Sequence, residues 1–168
     1  WSEAAEMNVA RQLARAVLLK VDGRVMVTGG VSGVESLDGV ELYDPKDDVW
    51  LIGTPMNEIR SYHTATVFND GRVLVIGGEN KVTAHASAEI YDPISDAWTM
   101  VSEMFSPRSG HSASLMKDGR VIVSGGVNTT CKTRWDTCEV IPNDDPGTES
   151  DLRSCEDRSY HRQSERTG

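Results

Sequence analysis

The chain has 168 residues, of which 38% are hydrophobic and 26% charged, enough for one folded domain with a core. Its formal net charge of -9 repels a phosphate backbone and argues against nucleic acid as a partner. No stretch approaches the ~18 apolar residues of a membrane helix, so insertion by that route is not expected.

The chain opens part-way through a repeat. Trp1 precedes Met7 as Trp50 precedes Met56 and Trp98 precedes Met104, and an Arg follows each Met by four residues: Arg11, Arg60 and Arg108. There is no start Met and no secretory pattern. The expectation is a piece of a longer protein.

Internal repetition then governs the reading. His63 to Gly78 recurs as His111 to Gly126, and more loosely as Ala14 to Gly30. Asp-Gly-Arg-Val begins at Asp22, Asp70 and Asp118, and the pairs Gly29-Gly30, Gly77-Gly78 and Gly125-Gly126 keep the same step of 48. Tyr43 and Tyr91 each begin Tyr-Asp-Pro, and Trp50 and Trp98 follow. The first unit carries one extra residue between Met7 and Asp22.

Each unit reads as four short strands. In the middle unit His63 to Phe68 is the first, and Asn69-Asp70-Gly71 is a hairpin turn, since Asn, Asp and Gly tolerate the positive φ of tight turns. Arg72 to Ile76 is nearly continuously apolar, as suits a strand covered on both faces. Ser87 to Tyr91 alternates, Asp92-Pro93 starts a turn, and Ala97 to Val101 carries the Trp. The Gly pairs end the second strands, where a backbone without Cβ atoms bends freely and lets neighbours approach. A phosphate-binding role would need a helix start after them, and a polar connection to another strand follows instead.

Four-stranded units in tandem at this period are what propeller blades look like. The order Arg, His, apolar strand, Asp-Gly-Arg, apolar strand, Gly-Gly, Tyr-Asp-Pro and Trp resembles the kelch repeat, in its galactose-oxidase-like version. The resemblance implies an all-β chain, a partial β-propeller of four-stranded antiparallel blades, and implies no activity. Residues 1–142 form the propeller segment: 1–7 as the last strand of a preceding blade, 8–56 and 57–104 as full blades, and 105–142 as a degenerate one. In the last blade Tyr-Asp-Pro and Trp are lost. Cys138 to Pro142 remains as a degraded third strand, and no fourth is legible. Residues 143–168 keep only Leu152, Cys155 and Tyr160 as apolar side chains, and a disordered tail is expected.

Three blades do not close a ring, since propellers run from about four to eight. Further blades from the parent chain are the favoured closure, with self-association of copies or partial stability as the other routes. The spare segment Trp1 to Met7 offers a fourth strand to the last blade, within one chain or between copies.

Candidate chemistry is weighed residue by residue. His63 and His111 begin equivalent inner strands and could converge on a metal, but a residue repeated by register usually packs or bonds within its blade, and Ala14 stands at the first position. Arg11, Arg60 and Arg108 could grip anionic groups; tying a loop to carbonyls or an acidic side chain is preferred. Tyr43, Tyr91, Trp50 and Trp98 are expected to plug the space between blades. Arg24, Arg72 and Arg120 read as solvated hairpin ends, and Asp44, Asp47, Asp48, Asp92 and Asp96 as turn formers over a calcium site.

Cys131, Cys138 and Cys155 lack zinc-site spacing, and one pair could bridge if the protein is secreted. Asn128-Thr129-Thr130 fits the N-glycosylation rule in a surface loop and leans the parent toward the outside of the cell. No catalytic, metal or cofactor-binding residue is assigned, and no cofactor is expected. Galactose oxidase, as a family trait, uses copper held by tyrosines and histidines with a cross-linked cysteine; nothing here matches that site. The leading expectation is a non-enzymatic scaffold presenting the loops Val31 to Val40 and Glu79 to Ala86 to a protein or glycan. The alternative is part of a carbohydrate-active propeller enzyme whose site lies on other blades.

Overall fold

The computed structural model describes residues 1–130 and 133–141. The expected tail at 143–168 lies outside them. Every regular element among the described residues is a strand. The first sheet joins β1 (Arg15–Leu18), β2 (Val25–Thr28), β5 (Val40–Asp44) and β6 (Val49–Gly53) in that order. A small hairpin, β3 (Val31–Ser32) and β4 (Glu35–Ser36), stands on the connection between β2 and β5. The second sheet is β7 (Thr64–Val67), β8 (Val73–Ile76), β9 (Ala88–Asp92) and β10 (Ala97–Val101). The third holds β11 (Ser112–Leu115), β12 (Val121–Ser124) and β15 (Cys138–Ile141), with a hairpin of β13 (Val127–Asn128) and β14 (Thr133–Arg134). All pairings are antiparallel.

The Asp-Gly-Arg turn is self-contained. Phe68 N–H donates to Arg72 O and Gly71 N–H to Phe68 O, while Asp70 accepts from the backbone and guanidinium of Arg72. Gly71 sits at φ +96°, where a side chain is disfavoured. In the first blade the matching closure runs from Leu19 N–H to Arg24 O, one residue wider. The extra residue of the first unit is therefore spent in this turn, and both strands keep their register.

The sheets stack as separate wedges. β8 is buried along its whole length because its two faces serve two cores. Val73 and Val75 join Leu19, Met26, Val40, Leu42, Met56 and Tyr91 between the first and second sheets. Leu74 and Ile76 join Phe68, Ala88, Met104, Val121, Val123 and Ile141 between the second and third. Each fully buried aliphatic side chain contributes roughly 1.5–3 kcal/mol, so neither outer sheet is stable without a neighbour. The innermost strands β1, β7 and β11 lie next to one another, around the axis of a partial β-propeller.

At the stacking surface the Gly pairs are indispensable. A Cβ on Gly29 would lie 2.3 Å from Arg60 O, and one on Gly77 would lie 2.6 Å from both Arg108 O and His111 Cε1. Both glycines also have positive φ, +56° and +62°.

Residues 1–7 form no strand. They lie against the first blade: Ala5 N–H donates to Asp48 and Ala5 O accepts from Trp50 Nε1. The expected completion of the last blade by this segment is therefore not seen within the chain, and that sheet shows three strands among the described residues. Cys138 is disulfide-bonded, while Cys131 and Cys155 lie outside the described residues.

The stacking geometry sets a stability expectation. Gly23→Ala, at φ +80° with nothing within 4 Å of the new methyl, should cost about 1 kcal/mol. Gly77→Ala adds a backbone clash across the interface and should cost at least about 3 kcal/mol in urea unfolding. Equal costs would mean that the blades do not meet at Gly77.

Candidate binding face

Three sets of residues recur by blade, the first two at the Gly-pair end of the strands and the third at the opposite end. The first is an arginine clamp. Arg60 is fully buried; its Nη1 donates to Gly77 O and Ser87 O, and its Nε to Glu89. Arg11 repeats this with Gly29 O, Gly39 O and Glu41, and Arg108 with Gly125 O, Thr137 O and Glu139. The guanidinium thus adds a donor at the strand ends, where Gly39, Ser87 and Thr137 O also accept from Gly29, Gly77 and Gly125 N–H. The Glu partners escaped the sequence reading, although they recur two residues before Tyr43, Tyr91 and Ile141. Each carboxylate turns back to the connecting chain: Glu41 accepts from Asn8 and Val9 N–H, Glu89 from Asn57 and Glu58, and Glu139 from Phe105 and Ser106. Burial alone would raise the Glu41 carboxyl; hydrogen bonds from Asn8, Arg11 and Val9 outweigh it and hold its pKa below the usual value.

The second set is an imidazole bridge between blades. His63 Nε2 lies 2.8 Å from Thr28 Oγ1 of the first blade, and His111 Nε2 lies 2.9 Å from Thr64 Oγ1 of the second. Burial, reinforced by the nearby Arg60 charge, pushes His63 down to about 3; burial and Arg108 push His111 down to about 4. Both rings are neutral at ordinary pH.

The third set is aromatic. Tyr43 and Trp50 pack with ring centroids 5.2 Å apart, and Tyr91 and Trp98 at 5.1 Å. Trp98 Nε1 donates to Thr54 O, while the Tyr hydroxyls donate to Asp48 and Asp96 in the following turns. Asp44 and Asp92 accept from backbone N–H two residues on, as turn formers do. Arg24, Arg72 and Arg120 each pair with the Asp two residues earlier. No cluster of three metal-ligating side chains occurs among the described residues.

What remains free is the rim where the Gly pairs end the strands. Leu13, Tyr62 and Gly110 occupy one repeat position, all left-handed, at φ 60°, 55° and 62°. Tyr62 N–H donates to Leu13 O and Gly110 N–H to Tyr62 O, so a backbone chain passes from blade to blade around the axis. This conformation is costly for Leu and Tyr and is sustained by those bonds. It leaves Tyr62 40% exposed beside a cleft of about 330 Å³ lined also by Glu79, Ser109, Val127 and Thr129. The loop tips Val34 and Val82 project from the same end, linked by Lys81 and Glu35 at 3.8 Å. A second cleft, of about 380 Å³, lies at the opposite strand ends between Lys20, Val21, Asp70 and Ile94. Asn128 departs from the expected surface placement: it is 7% exposed, and its Oδ1 accepts from Thr130 N–H.

Comparison with known proteins agrees with this geometry. A family model described as the Kelch motif matches residues 13–57 and 60–105, more than half of the chain. Two F-box/kelch-repeat proteins of Arabidopsis thaliana are similar, one 44% identical over 50 residues (30% of this chain) and the other 38% over 60 residues (35% of this chain). The chain spans only 13% and 15% of their lengths. Among solved structures, a fungal alcohol oxidase of the AA5 family in complex with copper superposes with a TM-score of 0.68 at 20% identity. That match covers 79% of this chain and 31% of the other.

The neutral, buried imidazoles make stability depend on pH. In the unfolded chain each His binds a proton near pH 6.5, whereas the folded values are about 3 and 4. The unfolded state therefore binds more protons between these limits; the contribution is complete above about pH 6.5 and is lost as pH falls. Unfolding free energy should drop by up to about 2 kcal/mol per ring from pH 7 to pH 5, and His111→Gln should remove about half of that drop. A midpoint of urea unfolding unchanged between the two pH values would show that the rings are not buried.

Proposed function

The chain belongs to the kelch-repeat family, and from that premise we propose that it is a non-enzymatic binding scaffold that presents its Gly-pair end to a protein or glycan partner. One observation carries this reading. The repeated Arg, Glu, His, Tyr and Trp side chains are engaged within and between blades, so recognition falls to the groups left open at the rim. Those are Tyr62, Glu79, Thr129 and the loop tips at Val34 and Val82; Ser109 is buried behind them, its hydroxyl donating to Glu79. An aromatic face beside hydroxyls and a carboxylate suits either a sugar ring or a peptide chain. The rigid strands beneath fix the loops in place, which lowers the entropy lost on binding.

Residues 1–7 are assigned to the end of a preceding blade. Ala5 O accepts from Trp50 Nε1 as Thr54 O accepts from Trp98 Nε1, the same contact one repeat earlier. The alternative, a carbohydrate-active propeller with its site on blades outside this chain, draws on likeness of fold alone. Bound copper, with a primary alcohol oxidised to the aldehyde while dioxygen is reduced to hydrogen peroxide, would decide for it.

The binding face is tested by placing a photo-crosslinker at Val82 and screening proteins and a glycan panel for a ligand. Tyr62→Ala or Glu79→Gln should weaken the recovered complex at least about tenfold, and Val21→Ala, at the opposite cleft, should leave it unchanged. Loss on Val21→Ala with no effect at Tyr62 would move recognition to the other face.

A further inference from the structure

Blade meets blade in this chain twice, by the same set of contacts. From the first to the second, Gly30 N–H donates to Arg60 O, Arg60 N–H to Leu37 O, Met56 N–H to Asp38 O and Tyr62 N–H to Leu13 O. From the second to the third, Gly78 N–H donates to Arg108 O, Arg108 N–H to His85 O, Met104 N–H to Ala86 O and Gly110 N–H to Tyr62 O. Each time the incoming blade also lays a Met methyl and an imidazole edge against the first glycine of the pair, Met56 and His63 on Gly29, Met104 and His111 on Gly77. Each imidazole then reaches a threonine hydroxyl of the blade before it.

The third blade carries the receiving half of this interface, and none of the described residues fills it. Gly126 N–H, Trp135 O, Asp136 O and Gly110 O stand where the four backbone partners stand elsewhere, and none has a hydrogen-bond partner among the described residues. A Cβ on Gly125 would meet only Trp135 O, at 4.0 Å, in the place where Gly77 meets Arg108 O and His111. Ser124 and Ser112 occupy the repeat positions of Thr28 and Thr64, the two hydroxyls that receive imidazoles, and both serines are exposed. The surface thus continues an interface already built twice.

We propose that this face is a socket for a further kelch blade carrying Met-x3-Arg-x2-His in the register of Met56, Arg60 and His63, and that it disfavours a second copy of this chain. The copy's leading blade offers Met7, Arg11 and Ala14 in those positions. It supplies the backbone partners and the Met methyl, but no imidazole. The ring's volume stays empty and the serine hydroxyls go without their acceptor, both of which weaken a packed interface. The socket adjoins the rim proposed above for partner recognition and shares Gly110 with it, but Tyr62, Glu79 and Thr129 belong to the rim cleft and Gly125 and Ser124 to the socket, so either can fail without the other.

The chain itself serves as the probe once it carries the missing ring. Position 14 accepts it, since Gly30 stands over Ala14 Cβ as Gly78 stands over His63 Cβ. Sedimentation of the full chain across a concentration series should show that Ala14→His tightens head-to-tail association at least about tenfold over the unchanged chain. Adding Gly125→Ala should abolish the gain, because the methyl occupies the arriving ring's space. Should that variant fold poorly, Ser112→Ala with Ser124→Ala gives the same reading, and should return association to the level of the unchanged chain. Ala14→His associating no more tightly than the unchanged chain, or a gain that survives loss of both serines, would overturn the proposal.

Discussion

The structure depends on one close approach. The carbonyls of Arg60 and Arg108 come down on the first glycine of the preceding blade, 2.3 and 2.6 Å from where a Cβ would be. Only a residue without a side chain permits it. Once it is made, the second glycine donates to that carbonyl, the next blade's imidazole slides into the remaining space, and two apolar sheet faces close over each other. The Gly pairs are thus contact points between blades more than ends of strands.

Burying a guidinium-carboxylate pair costs desolvation that attraction alone does not always offset. Here the guanidinium of Arg60 is saturated by two carbonyls as well as by Glu89, and Glu89 by backbone N–H groups of the connecting segment. The pair therefore ties the connecting segment at Asn57 to Arg60 onto the ends of β8 and β9. Such a network specifies how one blade enters the next, and it leaves little polar capacity for chemistry.

Much of this was legible in the residues. The 48-residue step located the Asp-Gly-Arg hairpin turns, because Asp and Gly mark a turn by their own bonding, as Asp70 does with Arg72, whereas the small hairpins β3–β4 and β13–β14 were not foreseen. The apolar run at Val73 to Ile76 announced a strand buried on both faces. Other features left no local mark. Glu89 lies inside a strand, where alternation makes a polar residue look solvent-facing, and only its Arg60 partner explains its burial. The left-handed conformation of Leu13 and Tyr62 is hidden because neither is a glycine; Gly110 at the third position was the one hint. Asn128 was expected at the surface because its triplet is polar, and it is drawn inward as part of β13.

Amide hydrogen exchange of the isolated chain at low concentration tests the stacking account most directly. Gly30 and Gly78 donate across blade interfaces, so their amides should exchange only as slowly as the central amides of β8, through opening of the sheets. Gly126, in the same backbone conformation with no following blade among the described residues, should exchange at the rate of an open loop. Protection at Gly126 equal to that at Gly78, or rapid exchange at all three, would contradict the claim that these glycines are held by the next blade.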